Sequence, residues 1–277
     1  MNREDRTKGF TSPRMASTDP AFQSGSSSDL SASTEHTPSE PALEEAPIED
    51  LPFSIGTPLV TYHVRNGGRL GRHSYVYAEE QATSPAYFAK CSEFRKRPDL
   101  VVYRGGDDSG EVLGGAALRY KRDLRLLLGG NATNQANYAE SGGMGEDDVI
   151  ELASERTAKH STYFMTVPAE ADPSRGGRPV QWRRTSKRED GVRGAGKFAL
   201  SSKTMRNYII TDHTTGDVVG VYLQHARMSF SSRGRLILKE ELEDGMKDCL
   251  LVAALGLAEK SRRKAVAIAP GTGAAAY

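Results

Sequence analysis

From Phe53 onward, the hydrophobic residues come in short runs separated by glycine, asparagine and aspartate. The runs are rich in valine, isoleucine, leucine and tyrosine, and turn residues recur about every ten residues. This pattern is typical of short β-strands. This pattern predicts a mainly β domain of about a dozen strands. The candidate strands are residues 59–64, 74–78, 87–91, 100–103, 111–118, 124–128, 149–153, 163–167, 179–184, 197–200, 208–212, 218–224 and 235–238.

The clearest hairpin joins residues 208–212 to residues 217–222. The short polar loop between them contains Gly216, which can adopt the positive φ that such a turn requires. Further along, Arg233-Gly234 precedes an apolar run and predicts a turn that enters another strand.

One helix is predicted near the end of the sequence, over about residues 240–263. Acidic residues at 240–244 suit its N-terminus, and Lys260 with Arg262–Lys264 suits its C-terminus. Residues 249–258 are all apolar or small, so they cover every face of the helix. At about 1.5 Å per residue this run covers only half a bilayer core. We therefore expect a helix buried in protein, with the strands wrapped around it.

Three segments are predicted along the chain. Residues 1–52 are rich in serine and proline, hold ten acidic against four basic residues and predict a disordered acidic tail. Residues 53–264 predict the β domain with its helix, and residues 265–277 a flexible end. The loops at 129–147 and 169–178 are long and rich in glycine or polar residues, which is typical of mobile or functional loops.

The cysteine content and the absence of targeting signals indicate the compartment. Cys91 and Cys249 are the only cysteines, too few for a disulfide framework or a cysteine-based zinc site. The N-terminus lacks the apolar core of a signal peptide, and no apolar stretch reaches the length of a membrane span. We expect free thiols, no transmembrane segment and a cytoplasmic protein that can be peripheral to a membrane.

None of the candidate motifs in the sequence predicts a catalytic site. Residues 191–197 have the spacing of a phosphate-binding loop, but Phe198 stands where that loop has Ser or Thr, which favours a basic glycine-rich turn. The six histidines lack metal-ligand spacing, and Asp107-Asp108 is more typical of a solvated loop than of a cation site. We predict no catalytic site, no metal and no cofactor. An enzyme built on the loops 129–147 or 169–197 is the least favoured function.

The positive charge is concentrated towards the C-terminus. The chain has a net charge of +1, but residues 178–264 hold 18 bases and ten acids. The densest cluster contains Arg183, Arg184, Lys187 and Arg188, which are our predicted lipid-binding residues. Each cation near an anionic surface contributes about 1 kcal/mol to binding. The alternative is a solvated loop. Trp182 is predicted to lie in the core, and scattered aromatic residues make nucleic acid an unfavoured partner.

The C-terminal third resembles uncharacterised fungal domains of the tubby C-terminal-like superfamily, to which LURP-one-related proteins and phospholipid scramblases belong. The resemblance lies in Trp182, in the hairpin at 215–222, in the strand at 234–238 and in the helix at 250–263. It implies a closed antiparallel barrel of about twelve strands around a hydrophobic C-terminal helix. It covers residues 178–264, and the final residues 265–277 depart from the end of the tubby domain.

These observations favour a non-catalytic domain that binds anionic lipid, such as phosphoinositide head groups, at a membrane surface. The alternative is a protein-interaction scaffold with no lipid or catalytic role. Salt separates the two, because lipid attraction through basic side chains weakens at high ionic strength whereas a hydrophobic protein interface persists.

Overall fold

The computed structural model describes residues 52–54, 56–67, 73–92, 98–118, 123–133, 149–156, 161–185, 207–224 and 232–268. Within them the chain forms twelve β-strands, a short 3-10 helix at Gly130–Thr133 and one α-helix, α1 (Asp244–Ile268). The strands are β1 (Leu59–Gly67), β2 (His73–Tyr77), β3 (Tyr87–Cys91), β4 (Leu100–Arg104), β5 (Val112–Leu118), β6 (Leu124–Leu128), β7 (Ile150–Arg156), β8 (Ser161–Val167), β9 (Arg178–Thr185), β10 (Asn207–Asp212), β11 (Val218–Gln224) and β12 (Ser232–Lys239).

The strands form a closed barrel in which each strand pairs antiparallel with the next along the chain. The barrel is closed by β1 and β12, whose register runs from Leu59 opposite Lys239 to Val64 opposite Gly234. Closure gives each of the twelve described strands a hydrogen-bonded neighbour on both sides. The predicted closed antiparallel barrel around a hydrophobic C-terminal helix is confirmed.

Most predicted elements have their counterpart in the structure. Twelve of the candidate strands correspond to β1–β12, whereas residues 197–200 lie outside the described residues. The helix begins at Asp244 and continues to Ile268, so residues 265–268 extend it where we expected a flexible end. The predicted tail before Pro52 and residues 269–277 also lie outside the described part.

Helix α1 fills the barrel. Residues 249–258 are buried without exception, as their unbroken apolar sequence requires. The helix makes more contacts with β5 than with any other strand. A Cβ atom at Gly256 would lie 2.7 Å from Leu124 Cδ2 and 3.3 Å from Ala116 Cβ, so a side chain at this position would require the Leu124 side chain to move. Glycine at this position therefore allows the close approach.

Two smaller apolar clusters lie on the outside of the barrel. In one, Val221, Leu223 and Ile237 pack with residues that precede or begin strands, among them Phe53 and Leu59. In the other, the 3-10 helix places Ala132 against Ala117 and Leu127 on β5 and β6. Several strands are therefore apolar on both faces.

Candidate functional site

The barrel topology divides the connections between strands into two sets. Because consecutive strands run in opposite directions, the connections after odd-numbered strands all begin and end at one end of the barrel. The connections after even-numbered strands, including the one from β12 to α1, begin and end at the other. We call the first the basic end and the second the acidic end, because their sequences differ sharply in charge.

The acidic end carries fifteen Asp or Glu residues in its six connections and a single base, Arg175. Ten of these carboxylates belong to described, exposed residues. They are Glu79, Glu80, Asp107, Asp108, Glu111, Glu170, Asp217, Glu240, Glu241 and Glu243. Crowded exposed carboxylates create a negative potential at this end of the molecule.

The basic end has the opposite composition. The connecting sequences 68–72, 92–99, 119–123, 157–160, 186–206 and 225–231 hold sixteen Lys or Arg and five Asp or Glu. Most of these residues lie outside the described part of the chain, but the strands that they join place both ends of each connection here. A net charge of only +1 for the chain thus conceals two oppositely charged ends.

Helix α1 runs from the acidic end of the barrel to the basic end. Its N-terminal part contacts the acidic end, where Asp248 binds Tyr87 and Arg104. Its C-terminal part contacts the basic end, where Arg263 binds Asp99 and the carbonyl of Ser92. The helix dipole favours negative charge at the N-terminus and positive charge at the C-terminus, so it is aligned with the charge of both ends.

Of the four predicted lipid-binding residues, the two that the structure describes, Arg183 and Arg184, lie on opposite faces of β9. Arg183 lies between Thr162 and Ile209 in the sheet register, on the outer face of β9. Arg184 lies on the inner face with Trp182, opposite Tyr208, because successive strand residues point to opposite sides. Both arginines are half-buried. Lys187 and Arg188 lie outside the described residues, in the sequence that connects β9 to β10.

A buried carboxylate anchors the helix near the basic end. Glu259 is 0% exposed and accepts hydrogen bonds of 2.7 Å from both Arg262 Nε and Nη2 and one of 2.8 Å from Arg263 Nε. Burial alone would raise the pKa of Glu259, but the hydrogen bonds and charges of the two arginines outweigh it and hold the pKa below its usual range. Arg263 also bridges to Asp99 in the β3–β4 connection.

At the acidic end, burial has a larger effect on the pKa of Asp248 than the hydrogen bonds and the positive charge beside it. Burial raises the pKa of this carboxyl above its ordinary value, although Arg104 and the hydroxyl of Tyr87 partly oppose the shift. Burial, with the nearby charge of Asp248, also raises the pKa of the Tyr87 hydroxyl. The cluster therefore holds the first turns of α1 against β3 and β4, and nothing in it resembles a nucleophile activated for catalysis.

An aromatic cluster with a cation lies inside the barrel, and our sequence reasoning did not find it. The rings of Tyr163 and Tyr208 are 6.1 Å apart, and those of Trp182 and Tyr208 are 6.3 Å apart. Lys260 Nζ from the helix lies 5.0 Å from the centre of the Tyr163 ring, a cation–π distance. The alternation of inward-facing and outward-facing residues along the strands could have predicted that these aromatic side chains share the inner face. It could not have predicted that Lys260 lies beside them.

No family model matches this chain, and no curated protein matches it. Among the residues that the structure describes, no three His, Cys, Asp or Glu side chains are grouped so that they could hold a metal ion. The described part of the chain also has no helix that is long and apolar enough to cross a membrane.

Proposed function

We propose that this protein is a non-catalytic module that binds anionic lipid head groups at a membrane surface with the basic end of its barrel. The observation that carries the proposal is the separation of charge between the ends. Sixteen cations among the connecting residues of one end stand against a single cation at the other. A flat anionic surface attracts one end and repels the other, so it binds the barrel in a single orientation.

The expected strength follows from the number of cations that reach the surface. Each Lys or Arg near an anionic membrane contributes about 1 kcal/mol, so six engaged cations would supply about 6 kcal/mol. That free energy corresponds to a Kd between about 1 μM and 1 mM. Binding of this kind is reversible and falls as salt screens the charges. In this orientation the C-terminus of α1 points towards the lipid.

We also propose that the chain is a member of the tubby C-terminal-like superfamily. The support is the architecture, since twelve antiparallel strands close around a C-terminal helix as that resemblance implies. A shared fold by itself does not establish a shared ligand. The lipid proposal therefore rests on the charge of the two ends and not on the fold.

Co-sedimentation of the full chain with liposomes tests the proposal. Neutral phosphatidylcholine liposomes are compared with liposomes containing phosphatidylserine or phosphatidylinositol bisphosphate, at about 0.1 M and 0.5 M salt. We expect binding to the anionic liposomes only, and much weaker binding at the higher salt. Equal binding to neutral liposomes would contradict the proposal, and absence of binding to all of them would favour a protein-interaction scaffold.

A pair of variants separates orientation from net charge. The triple change Arg119→Gln, Lys121→Gln and Arg122→Gln removes three cations from the β5–β6 connection at the basic end, and we expect it to weaken binding clearly. The triple change Glu240→Gln, Glu241→Gln and Glu243→Gln removes three exposed carboxylates from the acidic end. If only net charge mattered, this second variant would bind more tightly than the original protein, whereas we expect little change.

A further inference from the structure

The chain makes a tight turn just before the first strand. The backbone N–H of Thr57 donates a 3.1 Å hydrogen bond to the carbonyl of Ser54, and Gly56 between them has a φ of +84°. Glycine adopts this conformation without steric cost. A turn of this kind reverses the direction of the chain, so the residues before Ser54 approach β1 from outside the barrel.

The contacts of Phe53 show which way that approach runs. Strand β1 begins opposite Lys239, at the acidic end of the barrel. Phe53 packs instead on the outer cluster of Val221, Leu223 and Ile237, which lies two to four residues from that point towards the basic end. Followed backwards from β1, the chain therefore advances along the outside of the barrel towards the basic end.

The outer face of β11 and β12 is deeply buried where Phe53 lies. Val221 is 0% exposed, Ile237 3% and Leu223 8%, although all three belong to the cluster outside the barrel. Arg235 is the register partner of Leu223, and it also faces outwards with only 8% of its surface exposed. Arginine is seldom covered so completely unless it is paired. We call these four residues the outer strip, and Phe53 is a described residue that covers part of it.

The residues directly before Pro52 have a composition that suits the outer strip. Residues 45–51 contain two branched apolar residues and three acids without a base, namely Ile48, Leu51, Glu45, Glu49 and Asp50. Along an extended chain, alternate side chains share one side, so Leu51 and Glu49 would face the same way as Phe53. An apolar side chain then follows Phe53 along the strip, and a carboxylate follows towards Arg235.

We propose that residues 45–51 dock along the outer strip and carry their carboxylates to the rim of the basic end. Three extended residues span about 10 Å, which is also the length of β11 from Val221 to its end at Gln224. Asp50, three residues before Phe53, therefore reaches the rim. The docked carboxylates lie between two outward-facing arginines, Arg183 on β9 and Arg235 on β12.

Docking of this segment regulates lipid binding by competition. The segment is joined directly to Phe53, so its effective concentration at the outer strip is in the millimolar range, and weak contacts are enough to hold it. A docked segment places three carboxylates beside the cations that attract an anionic surface. The apparent Kd for the membrane then rises in inverse proportion to the fraction of molecules with a released segment. This regulation rests on the proposed function, whereas the docking does not.

Limited proteolysis of the full chain tests the docking without lipid, with a protease that cleaves after glutamate. A segment held on the barrel is cleaved slowly, because cleavage follows the population of the released form. Phe53→Ser removes the described anchor, and we expect cleavage after Glu49 to become at least about fivefold faster. Phe164→Ser is the matched control, since the half-buried Phe164 on β8 packs against His213 and lies outside the outer strip. For this control we expect no change in the rate.

Co-sedimentation with phosphatidylserine liposomes tests the regulation. One triple variant, Glu45→Gln with Glu49→Gln and Asp50→Asn, removes three charges from the segment. The triple variant of the acidic end described above changes the net charge by the same amount. We expect only the segment variant to lower the Kd for the liposomes, by at least about threefold. Phe53→Ser leaves the net charge unchanged, and we expect it to lower the Kd in the same direction.

The outcomes separate the docking from the proposed function. Equal cleavage after Glu49 in the original protein and in Phe53→Ser would overturn the docking, and Leu51→Ser replaces Phe53→Ser if that variant fails to fold. Equal liposome binding by the two triple variants would overturn the regulation. Faster cleavage of Phe53→Ser, with no protein bound to anionic liposomes, would overturn the lipid function and support the docking. A dimer of the original protein that Phe53→Ser dissociates would assign the outer strip to a second copy and overturn the proposal.

Discussion

Arg178 Nε donates a 2.8 Å hydrogen bond to Asp212 Oδ2, and the two side chains are only 11% and 1% exposed. Arg178 Nη1 also lies 3.7 Å from Asp172 Oδ2. The other oxygen of Asp212 accepts the backbone N–H groups of Thr214 and Thr215 at 2.8 and 3.2 Å. One guanidinium therefore joins the β8–β9 connection to the β10–β11 hairpin.

Replacing Arg178 removes the one buried cation that the two buried carboxylates of Asp172 and Asp212 share. We expect Arg178→Met to lower the free energy of unfolding by about 3–5 kcal/mol, the usual cost of breaking a buried ion pair. Urea denaturation followed by circular dichroism measures it. Arg175→Met is the control, because Arg175 reaches the same Asp212 oxygen at 3.4 Å from a position that is 52% exposed. If both variants lost a similar free energy of unfolding, burial of the Arg178 ion pair could not explain the loss.

A charge inside the central helix should unfold the barrel. Leu251 is 1% exposed and belongs to the main core cluster. Leu251→Asp places an unpaired carboxylate there, and we expect loss of the cooperative unfolding transition in a thermal melt. Lys264→Asp introduces the same residue at an exposed position of the same helix and should retain the transition. A cooperative, folded Leu251→Asp protein would disprove the buried central helix.

The close contact between α1 and β5 should not tolerate a large side chain. Gly256→Leu would push against Leu124 and Ala116, and overpacking of this kind costs about 1–3 kcal/mol. Gly130→Leu is the comparison, since a Cβ atom at Gly130 would have no atom within 4 Å. Chemical denaturation of the two variants should separate them. Equal stabilities would show that the helix can shift away from β5.

The pKa of Glu259 predicts how stability depends on pH. Its folded-state pKa is below the ordinary value of 4.5, because Arg262 and Arg263 outweigh the effect of burial. Ionised Glu259 therefore stabilises the fold above about pH 4.5, and this contribution is lost as the pH falls through the folded-state pKa. We expect the stability difference between the original protein and Glu259→Gln to shrink from pH 7 to pH 3.5. A difference that stays constant would be inconsistent with the lowered pKa.

The two neighbouring arginines of β9 should respond differently to charge reversal. Arg184 lies on the inner face opposite Tyr208, whereas Arg183 lies on the outer face. We expect Arg184→Glu to reduce stability by at least about 1 kcal/mol more than Arg183→Glu, because it brings a carboxylate towards the core. Melting temperatures of the two variants provide the test. The reverse order would mean that the side chains are placed on the opposite faces.

The sequence was sufficient to predict the strands because their apolar runs are short and separated by turn residues. The predicted ends were less accurate: β1 continues to Gly67 and β7 to Arg156, past the apolar residues. These polar ends pair through the backbone, as Asn66 does with Ser74. Backbone pairing does not depend on the side-chain pattern, so hydrophobicity alone could not show where the strands end.

Two relationships at the site were missing from the prediction, and only the second requires the fold. We treated Arg183 and Arg184 as one basic patch, although strand alternation around a core Trp182 implies opposite faces. The ion pairs could not be predicted, since Arg178 and Asp212 are 34 positions apart and Arg263 and Asp99 are 164 apart. The charge of the two ends, by contrast, was visible in the sequence: connections rich in acid and connections rich in base alternate along the chain.

The position of α1 after β12 has a consequence for biosynthesis. All twelve strands leave the ribosome before α1, the segment that fills the space between them. Strand β1 cannot complete its pairing until β12 has been synthesised. A nascent chain that lacks α1 would expose the inner apolar face of every strand, the kind of surface that leads to aggregation. We therefore expect the barrel to fold only after its synthesis is complete, and to depend on chaperones while it is being translated.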